Sequence, residues 1–247
     1  MKKTIFILIL IFIFCNCLIC GFSIASSRGG YNIYPHETYS GKSVDYEKEK
    51  VVFIVDFSNS MNEYIYDGRK IDVAIIALNE ILPQIPKNAQ IGLRVYGHRG
   101  GLTPMDACLA SKLVVTIGYD NFEKIYEALL RVAPTGMTPI TYSIKQSLKN
   151  DFGLWRGKKR IIILTDGGEN CDESPCNYAI KLMQQRDDVK IDVIAFTVND
   201  LSANDQLRCA ALMTSGKFYN AETYAELVDS LKESFSTEKS VEGFIVE

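Results

Sequence analysis

Val51-Val52-Phe53-Ile54-Val55-Asp56-Phe57-Ser58-Asn59-Ser60 joins five consecutive apolar residues to an aspartate and two serines. A β-branched and aromatic run of that length reads as a strand buried on both faces, as in a parallel sheet covered by helices. Ile161-Ile162-Ile163-Leu164 repeats the design, running into Thr165-Asp166-Gly167-Gly168-Glu169. Each of these strands ends in an aspartate, at the edge where open α/β sheets hold ligands. Gly136-Met137-Thr138-Pro139 adds a third polar turn between them.

Working outward from Val51, apolar strands fall near 51–56, 90–96, 111–117, 160–165, 190–197 and 217–219, with amphipathic helices between them. Ile71, Ala74, Ile75, Leu78 and Leu82 share one face of the first helix, which Pro83 stops. Asp120 with Glu123 reads as a capping box for the helix of Phe122, Ile125, Tyr126 and Leu129. Further helices are predicted over about 139–150, 175–186 (Ser174 as cap, Pro175 in the first turn), 203–213 and 222–235. The alternation predicts an α/β fold: a doubly wound, mostly parallel six-stranded sheet with helices on both faces. In such a sheet the first and fourth strands are neighbours. Asp56 and Asp166 then meet in one crevice, and Thr138, opening the helix before the fourth strand, reaches it too.

Lys2 and Lys3 precede an apolar run from Ile5 to Phe22, and Ser23-Ile24-Ala25 offers small residues before a cleavage point. Residues 1–25 read as a signal peptide, with an uncleaved membrane anchor as the alternative. The chain is expected to be exported: secreted, periplasmic or cell-surface. Residues 26–49 read as a linker or flexible arm, 50–236 as the domain and 237–247 as a C-terminal tail. The formal charge is −3, and losing the two signal lysines makes it −5. A mildly acidic chain without a basic run excludes a nucleic-acid footprint, and no second apolar stretch is long enough to span a membrane.

Cys15, Cys17 and Cys20 leave with the signal, and Cys108, Cys171, Cys176 and Cys209 remain, an even number suited to disulfides in an oxidising compartment. Cys171–Cys176 and Cys108–Cys209 is the expected pairing, because the first two lie close in the chain and the others are left to each other. Zinc is disfavoured, since no Cys-x-x-Cys is present and His36 and His98 are the only histidines.

Asp56, Ser58, Ser60, Thr138 and Asp166 offer hard oxygens suited to Mg²⁺, with Mn²⁺ or Ca²⁺ as substitutes. The three hydroxyls would ligate directly, and the two aspartates would accept bonds from the serines and from bound water. An ion with mostly uncharged protein ligands stays electrophilic and accepts a further carboxylate. These five residues resemble the von Willebrand factor type A family and its metal-ion-dependent adhesion site, whose motif is Asp-x-Ser-x-Ser with a distant Thr and a distant Asp. Arg69-Lys70-Ile71-Asp72-Val73-Ala74, Leu93-Arg94-Val95-Tyr96-Gly97-His98-Arg99, and Asn170-Cys171 with Pro175-Cys176 also resemble its bacterial exported branch. Asn59 departs from the frequent glycine between the serines, but asparagine tolerates the backbone such a loop needs. The resemblance implies a doubly wound sheet with the metal at its crest, bridged by an aspartate or glutamate of a partner protein.

Tyr64, Tyr66 and Arg69, in the loop from Asn62 to Lys70, are candidate partner-contact residues, equally readable as an ordinary loop with half-buried tyrosines. His98 reads first as a loop hydrogen-bonding residue and second as a ligand contact. Glu169 reads as a solvated charge in preference to a rim residue. No Ser–His–Asp order and no phosphate-cradling loop is evident, so a binding module is favoured over an enzyme. A Mg²⁺-dependent phosphatase on a similar sheet is the alternative. It needs a second aspartate where Ser58 stands, and a lysine near the site. A structural subunit of an exported assembly is the third reading.

Overall fold

The computed structural model describes residues 49–235. The expected signal (1–25), nearly all of the arm (26–49), the tail (237–247) and Cys15, Cys17 and Cys20 lie outside the described residues.

Strand β1 (Lys50–Asp56) is buried from its second residue to its last. It pairs in parallel with β4 (Gln90–Tyr96) on one side and β6 (Lys159–Thr165) on the other. β7 (Val189–Phe196) and β8 (Phe218–Ala221) continue the parallel sheet beyond β6, while β5 (Ser111–Gly118) closes the far edge antiparallel to β4. The order is β5-β4-β1-β6-β7-β8. This is the six-stranded, mostly parallel α/β sheet expected, with β1 and β6 adjacent at its centre.

The pleat of β1 feeds two cores. Val51, Phe53 and Val55 face α1 (Lys70–Ile81), α3 (Phe122–Leu130) and α7 (Tyr224–Phe235) through Ile71, Leu78, Leu129 and Leu231. Val52 and Ile54 face α4 (Ile140–Gln146), α5 (Pro175–Met183) and α6 (Leu201–Met213) through Ile144, Leu182 and Leu207. A fully buried Leu, Ile or Phe contributes about 1.5–3 kcal/mol, so a sheet covered on both faces fixes β1 and β6 firmly at the centre. The two aspartates stand on that frame.

Local detail departs from expectation in three places. Asp120 does not cap α3. It takes a left-handed turn (φ 50°), and Asn121 is the cap residue, its amide donating to the Ile91 and Thr116 carbonyls. A short helix α2 (Pro104–Cys108) fills the β4–β5 connection, opened by a Thr103–Asp106 capping box. The segment read as a loop after Asn62 is a tight hairpin of β2 (Tyr64–Ile65) and β3 (Gly68–Arg69).

The disulfide pairing also differs. Cys108 bonds Cys171 and Cys176 bonds Cys209, with Cα separations of 5.6 and 5.1 Å. Nearness in the chain misleads because Asp172, at φ 58°, turns the backbone between Cys171 and the start of α5. Cys171 is thereby directed to the end of α2, while Cys176, in the first turn of α5, meets α6. The bridged pairs are 63 and 33 residues apart, for which loss of unfolded-chain entropy stabilises by about 4 kcal/mol each.

Candidate functional site

The site forms where β1 and β6 end side by side. Asp56 is fully buried; its Oδ1 accepts from the Ser58 N–H at 2.6 Å and its Oδ2 from the Thr165 hydroxyl at 2.7 Å. Ser58 and Ser60 lie on the turn that follows, their hydroxyls 3.0 Å apart, and Ser60 donates to Asp166 Oδ1 at 2.8 Å. The chain thus joins Asp56, Ser58, Ser60 and Asp166 without a gap.

Thr138 arrives on a separate arm. Ser58 bridges Gly136 in parallel, Asn59 N–H donates to the Gly136 carbonyl at 2.9 Å, and Thr135 N–H donates to the Phe57 carbonyl. Two glycines permit this approach. A Cβ on Gly97, which sits at φ 67°, would come within 2.5 Å of the Ser58 nitrogen, and one on Gly136 within 2.4 Å of the Arg99 carbonyl oxygen. Thr138 is buried, and its backbone N–H donates to Asn170 Oδ1 at 2.7 Å. Asp56, Ser58, Ser60 and Asp166 are thus linked directly, and the Gly136–Thr138 arm is brought against Ser58.

The electrostatics carry the most information. Burial, then the neighbouring Asp166 charge, pushes the Asp56 carboxyl up to about 6 against the bonds from Ser58 and Thr165. Burial also raises Asp166, although Lys70 and Ser60 oppose the rise. The Lys70 ammonium donates to Asp166 Oδ2 at 2.9 Å and to Glu63 Oε2 at 2.8 Å. Burial disfavours its charge, but those two carboxylates outweigh burial and hold its pKa above the usual lysine value. Beside Asp56 on β4 lies Tyr96, fully buried, its hydroxyl without a bond of good geometry and its pKa driven upward by burial and by the Asp56 charge. Asp56, Asp166 and Glu63 against Lys70 leave two uncompensated negative charges beside three hydroxyl-bearing residues. A hard divalent cation fits that set, because it supplies the missing charge and takes neutral oxygen ligands.

The rim residues separate. Tyr64 and Tyr66, 80% and 104% exposed, stand out on the β2–β3 hairpin beside the site, not half-buried in a loop. Arg69 is held by Asp72 in a bidentate pair at 2.9 and 2.7 Å. His98 is partly buried with Nδ1 unpartnered, and burial followed by Arg99 and Lys112 lowers its pKa. Glu169 is not a solvated charge. Its carboxylate accepts from the Thr141 and Cys171 N–H groups at 2.7 and 3.0 Å, tying α4 to the loop after β6.

Sequence reasoning gave no role to Lys70, Tyr96, Thr165 or Asn170. A signal existed for Lys70, which shares the buried stripe of α1 with Ala74, Ala77 and Ile81. A lone cation on an apolar helical stripe needs a buried acceptor. Asn170 had no comparable signal.

The family model of the von Willebrand factor type A domain matches residues 51–169. The uncharacterized protein YwmD of Bacillus subtilis (strain 168) is 29% identical over 181 residues, 71% of this chain and 80% of its own. Among solved structures, the von Willebrand factor type A protein from Catenulispora acidiphila superposes with a TM-score of 0.60 at 19% identity, over 76% of this chain and 42% of that one. Proximal thread matrix protein 1 of the mussel byssus, solved with a zinc-occupied MIDAS motif, superposes with a TM-score of 0.56 at 18% identity, over 76% and 45%. This chain thus spans less than half the length of those two solved chains, and the likeness to them is one of fold. Residues 51–169 thus match the model of the von Willebrand factor type A domain, and the doubly wound sheet is the fold this chain shares with those solved structures.

Proposed function

We propose that this is an exported, cation-dependent protein-binding module that grips an acidic group of a partner. Ser58, Ser60 and Thr138 would hold Mg²⁺, with Mn²⁺ or Ca²⁺ as substitutes, and Asp56 and Asp166 would hold the hydroxyls and the ion's water. Bound there, the cation supplies a Lewis-acidic position for an aspartate or glutamate of the partner. The observation that carries this reading is the charge balance: Asp56, Asp166 and Glu63 share this crest with one ammonium, which pairs with only two of them, beside the Ser58 and Ser60 hydroxyls. The zinc-occupied motif named for the mussel protein supports divalent metal use on this fold. Tyr64 and Tyr66, exposed on the adjacent hairpin, would contact the partner. Two disulfides fit export through the 1–25 signal into an oxidising compartment. Among the described residues no helix is long and apolar enough to cross a membrane.

The phosphatase alternative gains a lysine at the site but loses its nucleophile. Both oxygens of Asp56 already accept hydrogen bonds from buried partners, and Ser58 stands where the second aspartate is required. An attacking carboxylate must reach the substrate, and Asp56 is fully buried. The binding reading predicts that, from a cell-surface extract, wild-type protein captures a partner in Mg²⁺ that is lost in chelator and lost with Thr138→Ala. An identical set of captured proteins under all three conditions would contradict it.

A further inference from the structure

Lys70 opens α1, and its backbone N–H closes the β2–β3 hairpin onto the Glu63 carbonyl at 2.9 Å. Its side chain is only 6% exposed and reaches inward to Asp166 Oδ2 while holding Glu63 at the rim. A buried ammonium is retained only where its acceptors compensate its desolvation, and here they do so on the wall of the candidate metal site. We infer that Lys70 and Glu63 set the charge a divalent cation meets at this crest, Lys70 holding its affinity down and Glu63 raising it. The inference rests on the metal reading above.

Lys70 engages one oxygen of Asp166, and Ser60 engages the other. Asp166 is thereby pinned in place and part of its charge is answered before any ion arrives. With Lys70 present, the group of Asp56, Asp166 and Glu63 carries two net negative charges, matched to one divalent ion. Without Lys70 it carries three, two of them, Asp56 and Asp166, buried and poorly screened by salt. The site therefore sacrifices ion affinity. A cation that sits near a fixed ammonium and whose direct ligands are uncharged hydroxyls has more to gain from an external carboxylate. Lys70 acts through Asp166, as a positioning and charge-setting residue.

The test is calorimetric titration of Mg²⁺ into the full-length chain and its Lys70→Met, Glu63→Gln and double variants, with circular dichroism in chelator to confirm folding. Lys70→Met should bind Mg²⁺ about tenfold more tightly, Glu63→Gln about threefold more weakly since Glu63 is largely exposed, and the double variant about threefold more tightly than wild type. A purely structural peg predicts the opposite order, with Lys70→Met weaker and the double variant weaker still. Affinity in Lys70→Met equal to or below wild type overturns the inference while the metal reading stands. Should Lys70→Met fail to fold, Glu63→Gln alone decides the sign, since unchanged or tighter binding overturns the proposal. Absence of Mg²⁺ uptake by the wild type overturns the metal reading itself, and this inference with it.

Discussion

Asp56 and Asp166 end adjacent parallel strands and are both buried, yet they are not equivalent. Asp56 is held by neutral groups alone, the Ser58 N–H and the Thr165 hydroxyl, with Tyr96 beside it on β4. Asp166 is held by a hydroxyl and an ammonium. One buried charge has its counter-ion inside the protein and the other must find it elsewhere. The difference separates a charge that serves the fold from one that costs the metal-free fold and is offset by a bound cation.

The contrast breaks most visibly in chelator. Asp166→Asn removes the buried partner of the Lys70 ammonium and leaves it only the exposed Glu63, a loss of about 1–3 kcal/mol. Asp56→Asn removes the charge without stranding one, so its melting temperature should stay level or rise. Equal losses in thermal melts of the two variants would erase the distinction.

A pH series sharpens it. The Asp56 carboxyl titrates near 6 in the folded chain against an ordinary value of 3.8. A raised acid gives stability that is fully present below its unfolded pKa and lost as pH rises through its folded one. Metal-free protein should therefore lose stability between about pH 4 and pH 7, on the order of 2 kcal/mol. Mg²⁺ should restore it at pH 7.5 and add little at pH 4.5. A flat profile for wild type in chelator, matching that of Asp56→Asn, would contradict this.

Thr138→Ala probes the arm that neither aspartate holds. It should lower Mg²⁺ affinity by about tenfold or more, with the melt in chelator nearly unchanged, because the Asn170 bond is to its backbone. The smallest effect belongs to Tyr66→Ser, at the exposed hairpin tip. Stability should move by less than about 0.5 kcal/mol and Mg²⁺ affinity not at all, while partner capture weakens.

Much of the fold was legible because apolar runs buried on both faces leave an unambiguous trace, and Val51–Val55 and Ile161–Leu164 could be little else. The five oxygen donors were legible because each follows a strand or opens a helix, so topology alone brings them together. What stayed hidden depends on where loops turn. The Cys108–Cys171 and Cys176–Cys209 pairing depends on which helices pack beside the turn at Asp172, which nearness in the chain does not reveal. Glu169 looked solvated because nothing in its neighbours announces the two N–H groups it accepts. The hairpin of Tyr64–Arg69 has only two residues per strand, too few for alternation to show.

The central claim concerns a place in the molecule, so the most direct measurement locates the ion. Crystals of the protein grown with Mn²⁺ and measured at the manganese absorption edge should show one anomalous peak among the Ser58, Ser60 and Thr138 hydroxyls. In those crystals Lys70 should still hold Asp166. A fully occupied Mn²⁺ elsewhere, with none at that crest, would contradict the account.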